Sequence, residues 1–298
     1  MAKPKRVCVE VPATTANLGA GFDCLGLALD LTARFSYERA DTLSIHGCDQ
    51  AFRGPDNLAW TSFLAGLEAL GEGLIPVSLT IDSPIPASGG LGSSSTCVVA
   101  GVIAAQLMCG REVDDQLTLD LATRIEGHPD NVVPATLGGL VSSFARSGHV
   151  WPTRFDVAPD LRFVAIAPPY RVLTSEARRV LPASVDRATC VWQMGRCVAT
   201  TEALTTGNME LLSAACEDRL HEPYRALLIE DFEAVRTCAL TAGASAFFIS
   251  GSGATMMAVV RGDSAADAVA QAERLRFPDF WVRTCRALPE GTRVVEIA

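Results

Sequence analysis

The stretch Pro86-Ala-Ser-Gly-Gly-Leu-Gly-Ser-Ser-Ser-Thr96 holds three glycines, four serines and no charge in eleven positions. It is too rich in glycine to be regular structure, and its flanks do not suit a slack linker. Val77-Ser-Leu-Thr-Ile81 before it alternates like a strand, and Cys97 to Ala105 after it is apolar and helix-compatible. The stretch therefore reads as a strand-to-helix connection, with Ser93, Ser94, Ser95 and Thr96 where the helix starts. At such a start the backbone N–H groups and the helix dipole favour an anion, and glycines let the backbone approach it closely. No lysine lies in or near the loop, and Gly89, Gly90 and Gly92 do not fit G-x-G-x-x-G. The common phosphate loop and the dinucleotide fingerprint are thus excluded. From the stretch alone, phosphate binding and an ordinary capped helix start both remain open.

Length and composition bound the rest. A chain of 298 residues, 49% apolar and 20% charged, suits two modest domains or one large one with a substantial core. The formal net charge is −9 without basic blocks, which argues against nucleic-acid or anionic-membrane partners. No apolar run approaches the ~20 residues of a membrane span, and Glu10 and Pro12 interrupt any signal-like segment. A cytoplasmic location is the expectation. The ten cysteines form no Cys-x-x-Cys pair and no cluster with the four histidines, so reduced, buried thiols are expected.

Along the chain, residues 5–11 and parts of 27–46 alternate like strands, and 19–26 is turn-rich. Asn57–Leu70, 115–126, 186–220 and 264–275 read as helical, and Thr174–Leu181 begins another helix. Leu161–Ala167, Ala246–Ile249 and Met256–Val260 read as strands, and Gly138-Gly139 as a turn into one. Residues 147–160 are the candidate boundary between a domain over 1–155 and a second over 156–298. Strands and helices mixed in both halves indicate an α+β protein.

Four polar clusters stand against this background: Thr14 to Asp23, the glycine loop, Glu126-Gly-His-Pro-Asp-Asn131, and Ser250-Gly-Ser-Gly253. Each also has an ordinary structural explanation, as a local turn, a capped helix, an exposed helix exit or a hairpin. Taken together they resemble one family. Pro86–Ser95, with its Gly-Leu-Gly-Ser-Ser core, is similar to the phosphate loop of the GHMP small-molecule kinases, and Ser250–Gly253 to their C-terminal glycine motif. Ala16-Asn-Leu-Gly19 with Gly21-Phe-Asp23, and Gly127–Asn131 with Pro134-Ala135, resemble the homoserine-phosphorylating branch. The chain departs from the usual pattern at Ser95-Thr96-Cys97, where alanines are more common, and at Ala254, where proline often stands.

The resemblance implies a two-domain GHMP kinase fold, with a ribosomal-protein-like N-terminal domain and a ferredoxin-like C-terminal one. It implies ATP and Mg²⁺ as cofactors, L-homoserine as acceptor, and O-phospho-L-homoserine, on the route to threonine, as product. A homodimer is compatible with it. Pro86, Ala87, Ser88, Gly89, Gly90, Leu91, Gly92, Ser93, Ser94 and Ser95 would hold ATP, with Asn57 by the base or ribose. Ser94 and Glu126 would hold the metal, Asp120 being the alternative carboxylate. Asn17 and Asp23 would meet the substrate ammonium, with His128, Asp130 and Thr174 within reach. Arg178 and Arg225 would meet the carboxylate, although most helix arginines are simply solvated. Asparagine cannot take a proton. Asn131 and Arg178 are therefore expected to orient the hydroxyl, whose proton leaves late to phosphate or water. The competing expectations are another kinase of the superfamily, acting on mevalonate or a sugar, and a catalytically silent binding protein of the same fold.

Overall fold

The computed structural model describes residues 3–87 and 89–298. The chain opens with β1 (Arg6–Asn17) and β2 (Gly21–Arg39), a long antiparallel pair. β2 serves two neighbours. Its C-terminal half pairs with β4 (Val77–Asp82), which carries the short parallel strand β3 (Ser44–His46), and its N-terminal half pairs with β5 (Leu140–Arg146). β5 turns back as β6 (His149–Phe155). The span 147–160, expected as a linker, therefore contains a strand. Ser147 and Gly148, at φ 54° and 79°, form a hairpin turn instead.

Four helices belong to this half: α1 (Leu58–Ala69), α2 (Ser93–Met108), α3 (Asp115–Glu126) and α4 (Val132–Leu137). α2 is apolar on nearly every side because it is enclosed by α1, α3, α4 and β1.

The second sheet begins with β7 (Leu161–Ala167), buried along its whole length. Its one cation, Arg162, is satisfied by the carboxylate of Asp263 at 2.5 Å and by the carbonyls of Pro159 and Leu161. A helical excursion follows: α5 (Thr174–Arg179), α6 (Arg187–Thr206), α7 (Met209–Ala215), α8 (Glu222–Arg225) and α9 (Phe232–Thr241). The hairpin β8 (Ala246–Ile249) and β9 (Met256–Arg261), α10 (Asp263–Arg276) and β10 (Trp281–Cys285) complete the sheet in the order β10-β7-β9-β8, every pair antiparallel. This is a ferredoxin-like β-α-β-β-α-β arrangement, and the whole is α+β.

The expected division at 155/156 falls in the connection between the sheets. The last strand, β11 (Arg293–Ile297), crosses back and pairs with β1. Glu10 on β1 receives the Arg293 guanidinium of β11 and Arg34 of β2, and Arg293 first, then Arg34, hold its carboxyl below the ordinary range. The turn of the β8–β9 hairpin also reaches into the first half: Gly251 N–H donates to the Ala16 carbonyl at 3.2 Å, and Thr255 N–H to that of Gly89 at 3.0 Å. Among the described residues no helix is long and apolar enough to cross a membrane.

Candidate active site

A cleft of about 1150 Å³ runs between the two halves, and the four polar clusters all contribute to it. Its middle is the glycine loop. Three successive carbonyls of that loop are taken by the protein: Gly89 by Thr255 N–H, Gly90 by the Ser250 hydroxyl at 2.7 Å, and Leu91 by Thr14 N–H at 3.1 Å. The loop is thereby fixed against β1 and the β8–β9 turn, and Gly92, Ser93, Ser94 and Ser95 line the cleft at the start of α2. Gly92 caps that helix at φ 68°, and a Cβ there would come within 2.0 Å of Thr14 Oγ1. A Cβ on Gly90, at φ 83°, would come within 2.3 Å of the Ser250 carbonyl. Both glycines are demanded by the protein's own packing before any ligand is considered.

Ser94 Oγ donates to Glu126 Oε1 at 2.6 Å across the base of the cleft. Burial pushes the Glu126 carboxyl up, and the Ser94 hydroxyl partly offsets it. Ser94 Oγ and Glu126 Oε1 are two hard oxygens side by side, a donor set of the kind Mg²⁺ takes. That ion keeps several waters and takes further oxygens from phosphates. Asp120 is not among the residues that line the cleft. It accepts from Val150 N–H and Gln116 Nε2, both at 2.8 Å, and fastens α3 to β6.

The other end of the cleft carries charge. Asn17, at φ 73°, donates through Nδ2 to the Gly251 carbonyl at 2.9 Å and accepts from Asp23 N–H at 3.1 Å. Asp23 is itself at φ 55°, so strained backbone brackets this corner. Arg178 of α5 meets Asp23 in a bidentate pair, both contacts 3.0 Å. Thr174, on the same helix, lies 3.4 Å from Ser252 Oγ.

Arg225 is 3% exposed. It donates to the carbonyls of Gly251 at 2.8 Å and Ala177 at 3.2 Å, and its guanidinium stands 5.1 Å from the Phe22 ring centre. Among the described residues no carboxylate lies within ion-pair distance of it. It is a buried cation facing the cleft, not a solvated helix arginine, and burial lowers its pKa.

The segment after Glu126 turns inward rather than out to solvent. His128 Nδ1 lies 2.5 Å from Asp130 Oδ1. Burial works to lower the His128 pKa, but the carboxylates of Asp130 and Glu126 outweigh it and the net shift is upward. Asn131 accepts the Thr14 hydroxyl on Oδ1 at 2.8 Å, between two buried side chains. The amide oxygen is thus occupied, and the NH₂ group is left to act toward the cleft that Asn131 lines.

Other expected residues fall outside this arrangement. Leu91 is fully buried in the core and offers only its backbone. Pro86 and Gly89 line a smaller pocket of about 220 Å³ that shares Ala87 and Arg171 with the cleft. Asn57 lines the cleft but spends its side chain locally. Oδ1 caps α1 through Ala59 and Trp60 N–H, and Nδ2 donates to the Phe52 carbonyl at 2.7 Å. Ser88 lies outside the described residues. Thr14 and Ser250 were not among the expected site residues. Both sit inside motifs the sequence shows, but their roles depend on partners 117 and 160 positions away.

Residues 57–139 match the family model "GHMP kinases N terminal domain", and residues 200–278 match "GHMP kinases C terminal". Together these two matches span more than half of the chain, which belongs to the GHMP kinase family of small-molecule kinases. Its relatives narrow this further. It is 40% identical over 297 residues to a homoserine kinase of Gloeobacter violaceus, covering 97% of this chain and 98% of that one. It is 37% identical over 254 residues to a homoserine kinase of Clostridium botulinum, covering 85% and 86%. The crystal structure of a homoserine kinase from Cytophaga hutchinsonii superposes with a TM-score of 0.89 at 28% identity, covering 99% of both chains. Within the GHMP kinases, the chain falls with the homoserine kinases. An L. major mevalonate kinase, TM-score 0.74 at 17% identity and covering 96% of this chain and 99% of that one, shares the fold alone.

Proposed function

We propose that the protein transfers the γ-phosphoryl group of ATP to the side-chain hydroxyl of L-homoserine, giving ADP and O-phospho-L-homoserine, a step toward threonine. The observation that carries this reading is that a carboxylate and a buried guanidinium line the same cleft as Asn131. Asp23 offers a carboxylate and Arg225 a buried guanidinium without an anionic partner among the described residues. An α-amino acid presents the complementary pair of charges, whereas mevalonate and sugars have no ammonium.

The loop from Ala87 to Ser95 cradles the phosphates, chiefly through backbone N–H groups at the start of α2. Ser94 and Glu126 would hold Mg²⁺, which would supply neutralisation of phosphate charge there. Asn17 and Asp23 take the substrate ammonium, and Arg225 takes the carboxylate. Arg178 is then shared between Asp23 and the acceptor. His128 and Asp130 form a rigid wall beside Asn131, whose NH₂ orients the hydroxyl oxygen for attack. Asp130 already has His128 on one oxygen, and Asn131 cannot accept a proton. The hydroxyl proton therefore leaves late, to phosphate or water, and the catalysis is positioning and charge neutralisation. Ten cysteines, none in a disulfide, support a cytoplasmic location.

The test compares homoserine with its analogue lacking the amino group, in the native enzyme and in Asp23→Asn. Removing one partner of a charged pair in a partly dehydrated cleft costs about 2–5 kcal/mol. The native enzyme should prefer homoserine by about two orders of magnitude, and the variant should lose most of that preference. Equal discrimination by both would remove Asp23 from the ammonium site.

A further inference from the structure

Cys24 and Cys197 are the two thiols that touch among the described residues, Sγ to Sγ 4.0 Å. Neither lines the cleft, and both are partly exposed. Cys24 is on β2, directly after Asp23. Cys197 is on α6, one turn beyond Gln193, so the two share a helix face. Gln193 donates to the Ala20 carbonyl at 2.9 Å. That face of α6 therefore docks along the segment that carries the acceptor-binding corner, with a hydrogen bond at one turn and a thiol pair at the next. Apolar packing alone would not require two sulfurs there.

We propose that Cys24 and Cys197 are a reversible oxidation site whose disulfide ties α6 to the Asp23 corner and weakens acceptor binding. The oxidant is a low-molecular-weight disulfide. One of the two thiolates attacks one of its sulfurs, breaking the S–S bond, forming a mixed disulfide and expelling one small thiolate. The other cysteine, as thiolate, then attacks the protein sulfur of that mixed disulfide and expels the second. The protein gives up two thiol protons and two electrons, and the small disulfide becomes two small thiols.

Closing the bond brings the sulfurs from 4.0 Å to about 2 Å. Cys24 follows a residue already fixed at positive φ, so the shift is passed to Asp23 and its pairing with Arg178. The kinetic part of this proposal rests on the homoserine reading, and the chemical part does not.

The experiment incubates the full-length protein with glutathione disulfide and reads three quantities. Thiol titration should show that two of the ten thiols are consumed, and peptide mapping without reductant should join the peptides of residues 24 and 197. Oxidation should raise the homoserine KM several-fold while leaving the ATP KM in place, and dithiothreitol should reverse it. Cys24→Ser and Cys197→Ser should keep basal activity and lose the response. Glutathione retained as a mixed disulfide, a bond between other cysteines, or a 24–197 bond with an unchanged homoserine KM would each overturn the proposal. Because the mapping needs no activity, its result stands apart from the fate of the homoserine reading.

Discussion

Replacing Thr14 by valine removes one hydroxyl and keeps the shape of the side chain. Thr14 is fully buried and Asn131 is 7% exposed, so the Asn131 amide oxygen loses its Thr14 donor in a largely buried setting. An acceptor left unpaired in such a place costs about 1–3 kcal/mol. The amide can recover part of this by rotating its NH₂ group away from the cleft. That rotation presents an oxygen where the acceptor hydroxyl needs a donor. If the rotated state is favoured by about 1.4–2.8 kcal/mol, kcat falls by about ten- to a hundredfold. ATP affinity should change little, because Thr14 still supports Leu91 through its backbone N–H. The assay is steady-state ADP release at saturating ATP and varied homoserine, with ATP affinity measured separately by calorimetry. Thr14→Ser restores the hydroxyl and should restore most of kcat. A valine variant with native kcat, or a serine variant no better than valine, would refute the positioning role.

Three further outcomes follow from the geometry. Glu126→Gln keeps an acceptor for Ser94 but removes the metal-facing charge, so turnover should fall on the order of a hundredfold with metal-free ATP binding intact; native turnover would place the ligand elsewhere. Gly92→Ala meets Thr14 and a positive φ, which costs at least about 1–2 kcal/mol, so the melting temperature should fall along with ATP affinity; weakened affinity with native stability would mean that the phosphate alone dictates the glycine. Glu222 is half-buried, desolvation pushes its carboxyl up to about 8 from 4.5, and Ile249 N–H donates to it at 2.6 Å. The fold therefore keeps its proton while the unfolded chain loses it, so this contribution is full below about 4.5 and is lost as pH rises toward 8. Glu222→Gln should flatten the fall in melting temperature across that range, and an unchanged slope would deny the raised carboxyl.

The glycine loop between a strand and a helix was legible because its signal is local: a strand, a glycine run and a helix lie within thirty consecutive residues. The ferredoxin-like half was legible in its strands β7, β8 and β9, which are short apolar runs. β11 was not, because all five of its residues are exposed and only pairing with β1, nearly the whole chain away, makes it a strand. β6 was hidden by Pro152 and by turn residues that mark a hairpin as readily as a linker. In the site, residue types pointed to a carboxylate and two arginines. That Arg178 pairs with Asp23 while Arg225 is buried without an anionic partner among the described residues depends on contacts spanning both halves, which no local pattern encodes.

The central claim is acceptor-dependent phosphoryl transfer, and the direct measurement follows the phosphorus. The purified protein is mixed with Mg²⁺, ATP and, in separate reactions, L-homoserine, mevalonate, a hexose or no acceptor, and ³¹P NMR identifies what carries the transferred group. A phosphomonoester on the homoserine side-chain oxygen, formed in step with ADP and absent from the other reactions, is the predicted result. ADP formed equally without acceptor, or a phosphate ester on mevalonate or the hexose in preference to homoserine, would contradict the account.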